Sequence, residues 1–172
     1  MGVMLAPKRL KGGEAKPEQW LEFPFDIIYN TNMSKTDIVL DTNVLYSGLY
    51  SQDGASYSLL SKIGKGLFDL HVSVPLVFEY EDVLKRHHKD LELSLHEIED
   101  FLDYLCSVTT AHFLYFSWRP CLNDPNDEML LELAIAANAR YIVTYNLRHF
   151  NRIRGFNVKA IKPLDFLKTL EE

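Results

Sequence analysis

The sequence predicts a doubly wound α/β/α sandwich around a central, mainly parallel five-stranded sheet. Short apolar runs that do not alternate with polar residues recur along the chain, as expected of strands buried on both faces. Amphipathic helical stretches separate them, which is the pattern of a parallel sheet covered by helices. The chain has 172 residues, of which 47% are hydrophobic and 24% charged, enough for one globular domain with a sizeable core.

The elements follow in order. Residues 1–33 carry Gly12-Gly13, Pro7, Pro17 and Pro24 and sustain neither a helical nor a strand period, so they read as an N-terminal extension, mostly tail. Met33 stands just before the first strand and is an alternative translation start. Residues 34–172 form the expected domain. Its strands are Asp37–Leu40, Phe68–Val74, His112–Phe116, Tyr141–Thr144 and Asn157–Ile161. Helices fall between them at Ala55–Ile63, Pro75–His87, Leu95–Val108, Asp127–Asn138 and Pro163–Leu170. Pro75 and Pro163 suit first-turn positions, where the missing N–H costs nothing. The aromatics Phe101, Tyr104, Phe113, Tyr115 and Phe116 sit at helix or strand periods and read as core.

Composition excludes several classes. The formal net charge is −6, so the average field repels phosphate and a nucleic-acid partner must be met locally. Charges balance within residues 1–33, which places the acidic excess in the body. No apolar run approaches the ~20 residues needed to span a bilayer, and Lys8, Arg9 and Lys11 precede no apolar signal core. The expected compartment is the cytoplasm, with no membrane partner. Cys106 and Cys121 are too few for a disulfide framework or a zinc site and read as buried, reduced thiols.

In a doubly wound fold, sites lie outside the carboxyl ends of the strands. Asp41 ends the run Ile38-Val39-Leu40 and is followed by Thr42-Asn43. By itself it is equally a helix N-cap. Asn123-Asp124-Pro125-Asn126-Asp127-Glu128 opens another helix, where capping and dipole complementation also account for acids. A third polar junction, Thr144-Tyr145-Asn146, follows Tyr141-Ile142-Val143. On the helix from Pro75, a buried face of Leu76, Val77, Tyr80, Val83 and Leu84 leaves Glu79 and Glu81 on opposite borders and Asp82 outward. The helical period does not choose between the two border glutamates.

Carboxylates converging on one cleft repel unless a cation sits among them. An oxygen-only set fits Mg²⁺ or Mn²⁺. Such a site suits phosphodiester hydrolysis, because a divalent ion activates water and neutralises charge on the scissile phosphate.

Ile38-Val39-Leu40-Asp41-Thr42-Asn43-Val44-Leu45 resembles the opening motif of PIN-domain ribonucleases, a family that includes toxins of type II toxin–antitoxin pairs. The family's order continues in Val74-Pro75-Leu76-Val77-Phe78-Glu79-Tyr80 with Val83-Leu84, in Asp124-Pro125-Asn126-Asp127 with Ala134, and in Val143-Thr144. The resemblance implies that Asp41, Glu79 and Asp127 are catalytic and hold the metal, with Asp124 a further acid; it selects Glu79 over Glu81. Asn43 and Thr144 are implied to orient Asp41 and the water. The implied cofactor is Mg²⁺ or Mn²⁺. The implied partners are an RNA substrate, a protein antitoxin and a second copy in a homodimer.

One departure stands out. Where many relatives have Thr-x-Asp, this chain has Thr144-Tyr145-Asn146, and His149 stands where others supply an acid three residues on. Asn146 offers a metal a neutral oxygen and no charge, so a single ion is expected without substrate. Arg148 and His149, just past the site, are the candidate RNA contacts. Lys85-Arg86-His87-His88-Lys89 reads instead as complementing a helix C-terminus.

The leading reading is therefore a Mg²⁺- or Mn²⁺-dependent endoribonuclease and toxin component. The alternative is a PIN-like RNA-binding protein with weak or no catalysis. A phosphatase or receiver domain is a third reading, disfavoured because Thr42-Asn43 supplies no second acid beside Asp41.

Overall fold

The computed structural model describes residues 35–114, 122, 124–153 and 155–171. Five strands, β1 (Thr36–Leu40), β2 (Phe68–Ser73), β3 (Thr110–His112), β4 (Tyr141–Val143) and β5 (Lys159–Ile161), form one sheet in the order β3-β2-β1-β4-β5. Every pairing is parallel. The helices are α1 (Thr42–Tyr50), α2 (Ala55–Leu60), α3 (Val74–Arg86), α4 (Leu95–Val108), α5 (Pro125–Ala136) and α6 (Pro163–Thr169), with a 3-10 turn at Leu147–Phe150. The doubly wound fold predicted from the apolar runs is the fold observed.

Burial explains why the strands are apolar throughout. Ile38, Val39 and Leu40 are inaccessible on both faces of β1, the central strand, and Ile142 and Val143 continue the same layer in β4. Tyr80 of α3 is fully buried, and its hydroxyl donates to the Leu40 carbonyl, fixing α3 against the end of β1. Leu76 and Leu84 complete the buried face of α3, while Glu81 and Asp82 turn outward to Lys85 and Arg86 one turn on. Lys85 also reaches Glu99 of α4, and His87 pairs with Asp90. Lys85, Arg86 and His87 are thus spent on neighbouring acids at a solvated helix end.

The sequence periods did not identify α1. It starts at Asp41, whose carboxylate accepts from the Asn43 N–H, and buries Val44, Leu45 and Gly48. A Cβ on Gly48 would stand 2.5 Å from Leu60 Cδ1, so glycine is what lets α1 and α2 approach. That packing role outweighs its low helix propensity.

Three other expectations are corrected. The third strand is Thr110–His112 rather than His112–Phe116, because α4 ends at Val108 and the backbone extends at once. His112 lies opposite Ser73, the last residue of β2, so Phe113 has no strand to pair with; it is 73% exposed rather than core. Phe101 packs against the core and Tyr104 is half-buried, while Tyr115 and Phe116 lie outside the described residues. Cys106 is a free, exposed thiol at the border of the α4 face that buries Ile98, Leu102 and Leu105; Cys121 also lies outside the described residues. The fourth helix expected at Asp127 begins two residues earlier, with Asp124 as its cap.

Among the described residues, no helix is long and apolar enough to cross a membrane.

Candidate active site

The strand order reverses between β1 and β4: the chain runs from β1 outward through β2 to β3, then returns to the other side of β1. A crevice opens at such a switch point beyond the strand ends. Asp41 leaves β1 and Thr144 leaves β4 on its two sides, and the Asp41 N–H donates to the Val143 carbonyl at 3.0 Å.

Asp41 is 7% exposed and held from several directions. Thr144 Oγ1 donates to its Oδ2 at 2.5 Å and Asn43 Nδ2 to the same oxygen at 2.6 Å. The Asn43 N–H donates to Oδ1 at 3.3 Å, which makes Asp41 both the helix cap and the centre of the site. The cap reading is therefore observed, and it leaves Asp41 at the strand end that the candidate site requires. Thr144 is fully buried, and its hydroxyl accepts from the Asn146 N–H at 2.9 Å. Asn43 Oδ1 in turn accepts from the Tyr145 N–H at 3.4 Å, tying the β4 turn to α1.

Glu79 comes from α3. Its Oε1 accepts from Thr42 Oγ1 at 2.7 Å, whereas its Oε2 is buried without a hydrogen-bond partner. Asp127, in the first turn of α5, is buried; its Oδ2 lies 2.8 Å from His149 Nδ1. Asp124 is exposed and caps α5 by accepting from the Asn126 N–H at 2.9 Å. Asn146 stands exposed, joined to the site through its backbone, and Arg148 is exposed beside it.

The acids act on one another electrostatically. Burial pushes the Glu79 carboxyl above its ordinary range, the Thr42 hydrogen bond opposes this, and Asp41, Asp124 and Asp127 each push it further up. Asp127 is raised mainly by burial, with His149 opposing and Asp124 and Asp41 adding. Asp41 is raised by burial against the pull of its Thr144 and Asn43 hydrogen bonds. Desolvation and like charge each raise a carboxyl pKa, and both act on Glu79 and Asp127.

This donor set fits a hard divalent cation. It is built of oxygens, its carboxylates are crowded, and the orphaned Glu79 Oε2 is a buried lone-pair donor with nothing to hold. Among the described residues, no three His, Cys, Asp or Glu side chains close on a single point. Each carboxylate is instead held by its own partner: Asp41 by Thr144, Glu79 by Thr42 and Asp127 by His149.

All the site residues expected from the sequence lie at this end of the sheet, and Glu81 does not. Thr42 was not anticipated as a Glu79 partner, since hydroxyl direction in a first helical turn leaves no mark in sequence. Nor was the His149–Asp127 contact, which turns His149 toward the acids.

The described geometry agrees with what the chain is similar to. The crystal structure of VapBC2 from Rickettsia felis bound to a DNA fragment from their promoter superposes with a TM-score of 0.52 at 18% identity, covering 73% of this chain and 98% of that one. No curated protein matches the chain by sequence. A PIN domain match spans residues 37–148, from the first strand through the polar turn after β4. With the switch-point crevice built from Asp41, Glu79, Asp127 and Thr144 inside that span, the chain belongs to the PIN domain family.

Proposed function

We propose that the protein is an endoribonuclease dependent on Mg²⁺ or Mn²⁺, acting as the toxin of a toxin–antitoxin pair. The observation that carries this reading is the buried Glu79 Oε2, left without a hydrogen-bond partner while Thr42 holds Oε1. Asp41, Glu79 and Asp127 would hold the ion, with Asp124 and Asn146 at its margin. A bound divalent ion supplies an activated water and charge neutralisation at the scissile phosphate. Thr144 and the Asn43 side chain hold Oδ2 of Asp41 and the Asn43 N–H holds Oδ1, so the carboxylate is fixed in orientation. Thr42 does the same for Glu79. Pre-set donors need no reorganisation as charge develops on the phosphate. Arg148, exposed past the site, supplies a cation for an RNA phosphate. Residues 1–33 are assigned as an extension to a nuclease domain of residues 34–172, and the cytoplasm as its compartment. An antitoxin partner is supported by the family resemblance and by the VapBC2 assembly that shares the fold.

Incubating purified protein with unpaired and structured RNAs in Mg²⁺, Mn²⁺ or EDTA, beside Asp41→Asn and Glu79→Gln, tests the enzyme. Cleavage should need the ion and disappear in both variants; equal cleavage by Asp41→Asn would assign the activity to a contaminant.

The contact between His149 and Asp127 favours a second reading, RNA binding with little catalysis. It occupies one carboxylate oxygen with a ring nitrogen, and Asn146 adds no charge to compensate. Tight RNA binding without cleavage in either metal would select it. His149→Asp would then create activity.

A further inference from the structure

We infer that Tyr145 is a base-stacking platform beside the acid cluster. The inference rests on the RNA-cleaving reading above and adds a residue that holds a base next to the scissile bond.

Tyrosines at protein surfaces usually bury the ring and leave the hydroxyl in water. Tyr145 does the reverse. Its hydroxyl lies 2.6 Å from Oγ of Ser56, a buried residue in the first turn of α2, while the residue as a whole is 43% exposed. Its backbone is also fixed, because the N–H donates to Asn43 Oδ1 and the preceding residue, Thr144, is bonded to Asp41. The ring is thus held at both ends, next to a side chain that orients the central carboxylate. Tyr145 is not among the hydrophobic residues of the core or those packed against it. A ring immobilised in advance loses little entropy when a flat partner covers it.

A nucleobase is such a partner. Stacking on an aromatic face is tolerant of base identity, since every base has a π-face. Only an unpaired base can splay out to reach it, because duplex RNA keeps its bases stacked and offers chiefly its shallow groove and backbone. Arg148, three residues on and exposed, is placed to meet a phosphate of the same strand. Tyr145 for a base, Arg148 for a phosphate and the acid cluster for the scissile bond then form one continuous contact with a single strand. Tyr145 is a specificity-determining residue in this scheme, and Ser56 is the positioning residue that holds it.

The test is fluorescence anisotropy of a labelled decauridylate and of a fully paired hairpin stem in Ca²⁺, with electrophoresis to confirm that both RNAs stay intact. Wild-type protein is compared with Tyr145→Leu, Tyr145→Phe and Ser56→Ala, and melting is followed by circular dichroism. Tyr145→Leu should weaken decauridylate binding about fivefold or more, the low end of what one stacked base supplies, and leave the stem unchanged. Tyr145→Phe keeps the ring and should stay within about threefold of wild type. Leucine binding the decauridylate as well as tyrosine does would overturn the inference, as would equal losses in Tyr145→Phe and Tyr145→Leu, which would reduce Tyr145 to a hydroxyl clamp. So would wild-type protein that binds the paired stem as tightly as the unpaired strand, or that binds neither. Ring-dependent binding by a protein that cleaves no RNA in Mg²⁺ or Mn²⁺ would instead sink the nuclease reading and leave the platform standing.

Discussion

Glu79→Gln should make the metal-free protein more stable while removing its response to metal. The substitution keeps an oxygen to accept from Thr42 Oγ1 and removes a charge that three other acids oppose. It also replaces Oε2, now buried with no partner, by an amide N–H₂ that carboxylates nearby can accept from. An unsatisfied buried polar group costs about 1–3 kcal/mol, and more when charged. Allowing for imperfect geometry of the new amide, relief of about 1–2 kcal/mol is expected, or roughly 2–8 °C in Tm for a chain of this size. Wild-type protein at 100 times its metal Kd should gain about 2.7 kcal/mol by mass action. The variant should gain far less, so the two melting curves cross as Mn²⁺ is added. The assay is differential scanning calorimetry at pH 7.5 in EDTA and across a Mn²⁺ titration. Should Glu79→Gln melt below wild type in EDTA, or keep the full metal-induced shift, Glu79 is not the uncompensated ligand that its geometry suggests.

Four further outcomes follow from other contacts. Thr144→Val removes a fully buried hydroxyl that both donates to Asp41 and accepts from the Asn146 N–H; unfolding in urea should show a loss of about 1–3 kcal/mol, with cleavage reduced and Thr144→Ser restoring both. Gly48→Ala drives a Cβ to 2.5 Å from Leu60 Cδ1 and 3.0 Å from the Ser56 backbone carbonyl carbon, and the same unfolding measurement should report about 1–3 kcal/mol of overpacking. Folded-state pKa values of Asp41, Glu79 and Asp127 lie above their ordinary ones, so the three contribute stability below the ordinary carboxyl range that is lost as pH rises through their raised values. Metal should consequently raise Tm more at pH 7.5 than at pH 5, and equal shifts at both would contradict the crowded-acid account. Arg148→Ala should lower the slope of log affinity for RNA against log salt by about 0.7, the value for one single-strand phosphate contact; an unchanged slope would remove Arg148 from the interface.

The order of apolar runs and amphipathic stretches was sufficient for the doubly wound sheet, because a strand buried on both faces must be apolar at every position. Asp41 and Thr144 were visible for a related reason: a polar residue that ends such a run can only lie at the sheet's carboxyl edge, whereas Asp124 and Asp127 were visible as acids opening a helix. The helix at Thr42–Tyr50 escaped because Gly48 lowers its propensity, and its value lies in contact with Leu60, a residue distant in sequence. The third strand was misplaced because Phe113 looks like strand by composition, yet β2 turns into α3 at Val74 and leaves it nothing to pair with.

The sequence by itself determined the layered fold and put forward the candidate acids. Only the tertiary structure decided how those acids are held. Helical period left Glu79 and Glu81 equivalent, and family resemblance chose between them. The physical distinction is that Glu79 lies under the switch point against Thr42 and the other acids, whereas Glu81 is satisfied by Lys85 in solvent. His149 on Asp127 and the inverted Tyr145 are likewise matters of direction, set by side chains meeting across β1, β4, α2 and α5. A one-dimensional pattern records which faces are apolar. It does not record where a hydroxyl or a ring nitrogen points, and at this site those directions decide which carboxylate oxygen is left free.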